Sequence, residues 1–390
     1  MKKTLAMFIA VVITIGAIMP TAMLYSNAYD TRDNKWLAEL VATCEITRGT
    51  TELRLINTEV TDLTPLTELV NLKSLILSYN PVTDLTPLGE LTNLKELYLD
   101  ETEGERNKLK DLTPLSKLTN LETLYIRNTQ IKGLTPLSEL TNLKELVLSE
   151  NKIKNIKPLA GLKSLEYLNL SNNQISNLTG LNEMTGLTRL DLSNNRISNL
   201  KGLEGMTGLT DLGLSNNQIS NLTGLEGMTG LTYLCLSNNR ISNITGLEGM
   251  TGLTGLNLSN NQISDATPLS KLTRLRSLFL HSNPIGLAQI QALRKALPKC
   301  KIDLKDSYYI FGRVLGNSYV GIGDALEILK YLAGIKSVIT DGGMGSPAWK
   351  AALITETSQK SLRPQIGDVL EILKKLAGMK NMVDIKMNGI

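Results

Sequence analysis

One histidine, three cysteines and an aromatic content of 4% are unusually low for a chain of 390 residues. With a single histidine, His281, there is no Ser-His-acid or Cys-His arrangement and no metal-ligand spacing anywhere. His281 reads as a surface strand residue, and the chain is not expected to be an enzyme. Three cysteines cannot all pair within one molecule, and Cys44, Cys235 and Cys300 lie far apart, so stability does not rest on disulfides. A formal charge of +4, with no basic stripe carrying interleaved aromatics, argues against nucleic-acid binding. No segment after the first thirty residues is apolar and long enough to span a bilayer, and the closing VDIKMNGI is too polar for an anchor.

The first residues have the three parts of a secretory leader. Lys2 and Lys3 form the positive segment, Leu5 to Ile18 the apolar core, and Ser26-Asn27-Ala28 a small-x-small cleavage site. Residues 1–28 are therefore expected to be a signal peptide. The mature chain would be secreted, with no membrane segment after cleavage.

What the chain has in abundance is leucine at a fixed step. Leucines open units at 53, 75, 97, 124, 146, 168, 190, 212, 234, 256 and 278, spaced by 22 residues except for 27 between 97 and 124. One unit reads LDLSNNRISNLKGLEGMTGLTD, from Leu190 to Asp211. In L-x-L, strand alternation turns Leu190 and Leu192 inward and Asp191 outward. Ile197, Leu200, Leu203, Met206 and Leu209 supply the remaining inward positions. One coil cannot enclose its own apolar side, whereas stacked coils bury a continuous core. These units resemble the leucine-rich repeat in its 22-residue, internalin-like form. The resemblance implies a horseshoe solenoid of α/β class, with a parallel concave sheet and short convex 3-10 turns.

The sixth position of most units is asparagine: Asn80, Asn151, Asn173, Asn195, Asn217, Asn239, Asn261 and Asn283. Its amide both donates and accepts, which suits a structural ladder between turns of adjacent coils. Thr58, Thr102 and Thr129 replace it in three units and are expected to leave those coils less rigid. On the convex side, Thr64-Pro65, Thr86-Pro87, Thr113-Pro114 and Thr135-Pro136 fit the capped start of a short helical turn. From the sixth unit onward TGLEGMTGLT replaces that phrase. The ends need covers: NKWLAELVATC within 29–50 has helical apolar spacing, as has PIGLAQIQALRKALPKC after Asn283. The array with its closing helix spans 51–304.

Outward strand positions form rows across the concave face. Ile76, Tyr98, Tyr125, Val147 and Tyr167 are expected side by side over five coils, flanked by Asp100 and Arg127. Tyrosine and arginine are favoured at interfaces, so these seven residues are the candidate surface for a protein or glycan partner. They equally suit strand formation, with no partner involved. The insertion Thr102–Asn107 would project beside them, and the serine-rich later units read as spacer.

After a short linker at 305–310, a second phrase is written twice. IGDALEILKYLAG starts at Ile322 and IGDVLEILKKLAG at Ile366; over Ile322–Ile339 and Ile366–Val383, 12 of 18 positions are identical. Leu326, Leu329 and Leu332, like Leu370, Leu373 and Leu376, have helical spacing, with Asp324 and Asp368 at the starts and Gly334 and Gly378 at the ends. Residues 311–383 resemble a dockerin, a small all-α, duplicated loop-helix domain that binds cohesin; 384–390 form a tail. In that family each loop offers calcium ligands at positions 1, 3, 5 and 12. Here the first loop offers Arg313, Leu315, Asn317 and Asp324, and the second Thr357, Gln359, Ser361 and Asp368. Only Asn317, Asp324 and Asp368 stand out as metal ligands, Arg313 would repel the ion, and the loops are degenerate; no cofactor is assigned. The family's recognition positions fall on Ile322, Gly323, Ile366 and Gly367. Lys330, Tyr331, Lys374 and Lys375 are the exposed helix positions expected to touch a partner. A helical pair serving only as carboxyl-terminal packing is the other reading.

Two functions follow. One is a secreted binding scaffold whose concave face captures a protein or glycan, while the dockerin-like tail ties it to a cohesin-bearing, polysaccharide-degrading complex (a cellulosome). The other is an internalin-like adhesin contacting a host or neighbouring cell, its tail only structural.

Overall fold

A computed structural model describes residues 48–101, 109 and 111–304, together with the backbone strand of 21–25. The expected amino-terminal helix, the insertion Thr102–Asn107 and the duplicated phrase at 311–383 lie outside the described residues.

The described chain winds as a solenoid around one parallel sheet. Its strands pair in chain order: β1 (Thr21–Tyr25), β2 (Glu52–Ile56), β3 (Ser74–Ile76), β4 (Glu96–Tyr98), β5 (Thr123–Tyr125), β6 (Glu145–Val147), β7 (Tyr167–Asn169), β8 (Arg189–Asp191), β9 (Asp211–Gly213), β10 (Tyr233–Cys235), β11 (Gly255–Asn257), β12 (Ser277–Phe279) and β13 (Lys301–Asp303). Each repeat contributes one strand, so leucines 22 residues apart stand directly opposite, as Leu168 does Leu190. The 27-residue unit keeps this register, with Leu97 opposite Leu124, so its five extra residues do not shift the strand pairing. β1 lies inside the segment expected to be removed as a leader; its loss would leave β2 as the sheet's edge.

The core is a column of leucines. In the coil that opens at Leu190, Leu190, Leu192, Ile197, Leu200, Leu203, Met206 and Leu209 are all buried. Each such side chain contributes about 1.5–3 kcal/mol on leaving water, and the gain is realised only when a neighbouring coil covers it. At the carboxyl end the cover is α1 (Leu287–Ala296), with Ile290, Leu293 and the following Leu297 buried against the last coil. β13 then adds a final strand beside β12.

The asparagine ladder joins coils through their turns. Asn173 Nδ2 donates to Leu148 O of the preceding coil at 2.9 Å and to Leu170 O of its own at 3.1 Å, while its Oδ1 accepts from Ile153 N–H at 3.0 Å. The same three bonds recur down to Asn283. Thr58 and Thr129 leave no gap in the ladder. The buried Thr58 hydroxyl and N–H both donate to Asn80 Oδ1, at 3.0 and 2.8 Å, and Thr129 does the same to Asn151. Thr58 and Thr129 therefore each supply the asparagine of the next coil.

Two structural phrases make the convex side. Where proline is present the chain forms 3-10 turns, as at Thr64–Glu68, Thr86–Glu90 and Thr113–Lys117. The expected threonine cap is displaced: the cap oxygen belongs to Asp62, Asp84 and Asp111, whose Oδ1 atoms accept the N–H of Thr64, Thr86 and Thr113. A carboxylate two residues earlier reaches that free amide and suits the positive end of the turn better than a hydroxyl. In the glycine phrase, Gly180, Gly202 and Gly224 stand where proline stood and take φ near +103 to +108°. A Cβ on Gly202 would lie 2.5 Å from Leu178 O, so the coils there approach too closely for any side chain.

The staples between coils change with the phrase. Asn71, Asn93, Asn120 and Asn142 donate their side-chain amides to backbone oxygens of the coil before. Further on, the hydroxyls of Thr188, Thr210, Thr232 and Thr254 take over, each 3.1 Å from an oxygen one coil back.

Candidate binding face

The outward positions of β3 to β7 bring most of the expected surface together. Ile76, Tyr98, Tyr125, Val147 and Asn169 occupy one row across five strands. Tyr167 stands one row over, opposite Glu145 and not opposite Val147. It remains close enough for its phenol to act electrostatically on Tyr125.

Tyr98 and Tyr125 pack on each other, with ring centroids 4.9 Å apart and planes tilted by 39°. The Tyr125 hydroxyl donates to Glu145 Oε1 at 2.5 Å. Burial and this carboxylate together push the phenol's pKa well above its usual value. Burial also raises Tyr98, and Glu96, Glu145 and Asp100 raise it further against the opposing charge of Arg54. Ser74 Oγ holds Glu96 at 2.9 Å. Arg189 lies over the Tyr167 ring, its guanidinium carbon 4.6 Å from the centroid, a cation–π contact.

Two of the seven expected residues are not open to a partner. Val147 is only 3% exposed, because its short side chain lies between the longer Tyr125 and Asn169 on the flanking strands. Asp100, 5% exposed, is committed to Arg127. Its Oδ1 accepts the Arg127 backbone N–H at 3.0 Å and its Oδ2 the guanidinium at 3.1 Å, which raises the arginine's pKa. Both residues shape the face from beneath. Ile76, Tyr98, Tyr125, Arg127 and Tyr167 are half-buried and reachable.

Sequence reasoning missed two aromatics. Tyr79 is exposed where β3 ends and holds a left-handed φ of 67°, at a position taken by asparagine in most coils, such as Asn172 and Asn194. Asparagine tolerates that conformation; a bulky tyrosine is strained in it. The exception to the asparagine pattern was the available signal. Tyr233 on β10, 44% exposed, lies in the stretch read as spacer. Its ring covers Gly255, where a Cβ would sit 2.7 Å from ring Cδ2. The lack of a side chain at 255, directly opposite Tyr233, was the clue.

The outer row carries an exposed ion cluster. Glu122 bonds Lys95 Nζ at 2.6 Å and Lys144 Nζ at 2.7 Å, and the two lysines lower its pKa to about 2. Cys235 and Cys300 are free thiols. Among the described residues no group of histidine, cysteine and carboxylates could hold a metal ion. No helix among them is long and apolar enough to cross a membrane.

A solenoid of 22-residue coils with an asparagine ladder and a concave parallel sheet defines a class, and the comparisons agree. The family described as leucine rich repeats (2 copies) matches at 70–105, 92–139, 141–183, 185–227, 207–249, 229–271 and 251–295. The chain therefore belongs to the leucine-rich repeat family, and within it is similar to the internalins. It is 34% identical to an internalin (inlF) from Listeria monocytogenes, with a TM-score of 0.62 over 65% of this chain and 74% of that one. The functional domain of InlJ from the same organism is 28% identical, with a TM-score of 0.54 over 62% of this chain and 51% of that one. The Leptospira interrogans protein LIC12759 is 25% identical, with a TM-score of 0.51 over 66% and 84%. No curated protein matches the chain.

Proposed function

We propose that the chain is a secreted, non-enzymatic recognition protein that binds another protein through its concave face, over β3 to β7. The observation that carries this reading is the tyrosine cluster. Tyr98, Tyr125 and Tyr167 have no part in the leucine core, yet paired rings, a carboxylate and an arginine hold each of them in a fixed orientation. Fixed aromatics lose little entropy on contact and are favoured as interface anchors. The tilt of Tyr98 against Tyr125 and the guanidinium over Tyr167 cover ring faces that a sugar would stack on, which favours protein over glycan.

The leader at 1–28 accounts for export. The duplicated phrase at 311–383 would dock the exported protein on a cohesin-bearing complex through Ile322, Gly323, Lys330, Tyr331, Ile366, Gly367, Lys374 and Lys375. The internalin likeness favours a second reading, an adhesin that contacts a host or neighbouring cell, its tail only structural.

An array of extracellular proteins probed with the wild type and with Tyr98→Ala, Tyr125→Ala, Tyr167→Ala together tests the face. Partners bound by the wild type and lost by the variant support it, and an unchanged pattern overturns it. Retention of the full chain, but not of a chain ending at 304, on a cohesin column supports the docking role. Equal behaviour of the two leaves the adhesin.

A further inference from the structure

The charge arrangement around Tyr98 says what kind of protein segment the face fits. On β2 to β6 the outward positions include Glu96, Glu145 and Arg54, and Asp100 and Arg127 follow β4 and β5. Asp100 and Arg127 neutralise each other at 3.1 Å. Lys95 and Lys144, one row further out, are both bonded to Glu122. Around Tyr98 itself, Glu96 and Glu145 outweigh the single cation Arg54.

Two of these glutamates are half engaged. Glu96 has one oxygen held by Ser74 and Glu145 has one held by Tyr125; the second oxygen of each makes no hydrogen bond among the described residues. They stand on β4 and β6, two strand steps or roughly 10 Å apart, with the Tyr98–Tyr125 pair beside them. A desolvated aromatic surface flanked by carboxylates attracts a cation through both the ring quadrupole and charge. Tyr79 adds a rim: it donates its N–H to Asp100 O at 2.7 Å, and its exposed ring is kept there despite the strained backbone. Strain retained at a surface position points to a contact that position makes.

We infer that the concave face over β3 to β6 takes a basic polypeptide segment, seating a lysine or arginine against Tyr98 with Glu96 and Glu145 as acceptors and Tyr79 as the rim. This rests on the reading of the face as a protein-binding surface and names the chemistry of its partner. An acidic segment would meet the half-engaged carboxylates of Glu96 and Glu145, and a nucleic acid would be repelled by them.

A library of random peptides panned against the full chain tests it. Enriched peptides are expected to be rich in lysine or arginine. Their capture should fall on the order of tenfold or more in Glu96→Gln, Glu145→Gln and on raising the salt, since charge pairs carry it. Tyr79→Asn should also weaken capture while leaving the fold at least as stable, which separates lost contact from lost structure. Neutral or acidic peptides whose capture still depends on Tyr98, Tyr125 and Tyr167 would overturn the basic partner and leave the face intact. Peptides indifferent to those tyrosines would overturn both. A library that yields no enrichment also contradicts the inference.

Discussion

Asp100 holds Arg127 by both ends, its Oδ1 on the backbone N–H at 3.0 Å and its Oδ2 on the guanidinium at 3.1 Å. The pair spans the one unit that is 27 residues long, so it clamps the strand register between β4 and β5. Asp100→Asn keeps an acceptor but loses the charge and should cost on the order of 1–2 kcal/mol, since Arg127 is partly exposed and can turn to water. Denaturant unfolding measures this; a variant as stable as the wild type would show that the clamp is ornamental to the fold.

The asparagine ladder predicts a larger effect from an equally small change. Asn173→Ala removes donors to Leu148 O and Leu170 O and leaves the Ile153 N–H without its acceptor in the interior. Leaving such a buried group unsatisfied costs on the order of 1–3 kcal/mol. Hydrogen exchange should show faster opening of the amides in the coils on either side, because repeats are coupled to their neighbours. Uniform exchange along the array would contradict that local coupling.

Glycines in the convex phrase are not equivalent. Gly202→Ala must accommodate φ of +106° and a Cβ 2.5 Å from Leu178 O, so it should destabilise by about 1 kcal/mol or more. Gly249→Ala meets nothing within 4 Å and should be neutral or slightly stabilising. Thermal midpoints of the two variants decide it, and equal midpoints would mean that the glycine phrase follows repeat copying alone.

Glu122 sets a pH dependence. Its pKa, lowered to about 2 by Lys144 and Lys95, lies below the ordinary carboxylate value it regains on unfolding. The carboxylate's contribution is therefore complete above pH about 4.5 and disappears as pH falls toward 2. Replacing both lysines by methionine should return the Glu122 titration, followed by carboxyl NMR shifts, to about 4–4.5. A midpoint near 2 in that variant would mean that other groups hold the carboxylate.

Much of the fold was legible because its period is covalent. Leucine every 22 residues leaves one way to bury the apolar side, and the inward residues of the Leu190 coil are all where alternation puts them. Asparagine at the sixth position could be read as a ladder because its amide offers two donors and a separate acceptor, where a threonine hydroxyl offers a single donor. The face was legible only in outline. Alternation tells which residues point outward, but not that Val147 is overshadowed by longer neighbours or that Asp100 is taken by Arg127. Tyr167 was placed one row off because side-by-side listing ignores that it precedes its inward leucine. The role of Asp62 as cap was hidden behind the more familiar Thr-Pro pair.

The most direct test uses a partner captured by the wild type. Its affinity is measured by calorimetry for the wild type, for Tyr98→Ala with Tyr125→Ala and Tyr167→Ala, and for a convex control with Thr67→Ala, Ser116→Ala and Ser270→Ala. Loss of three anchors, each contributing about 1–2 kcal/mol, predicts at least a hundredfold weaker binding for the concave variant and no change for the control. Equal affinity of all three, with circular dichroism confirming the fold, would contradict a concave binding face.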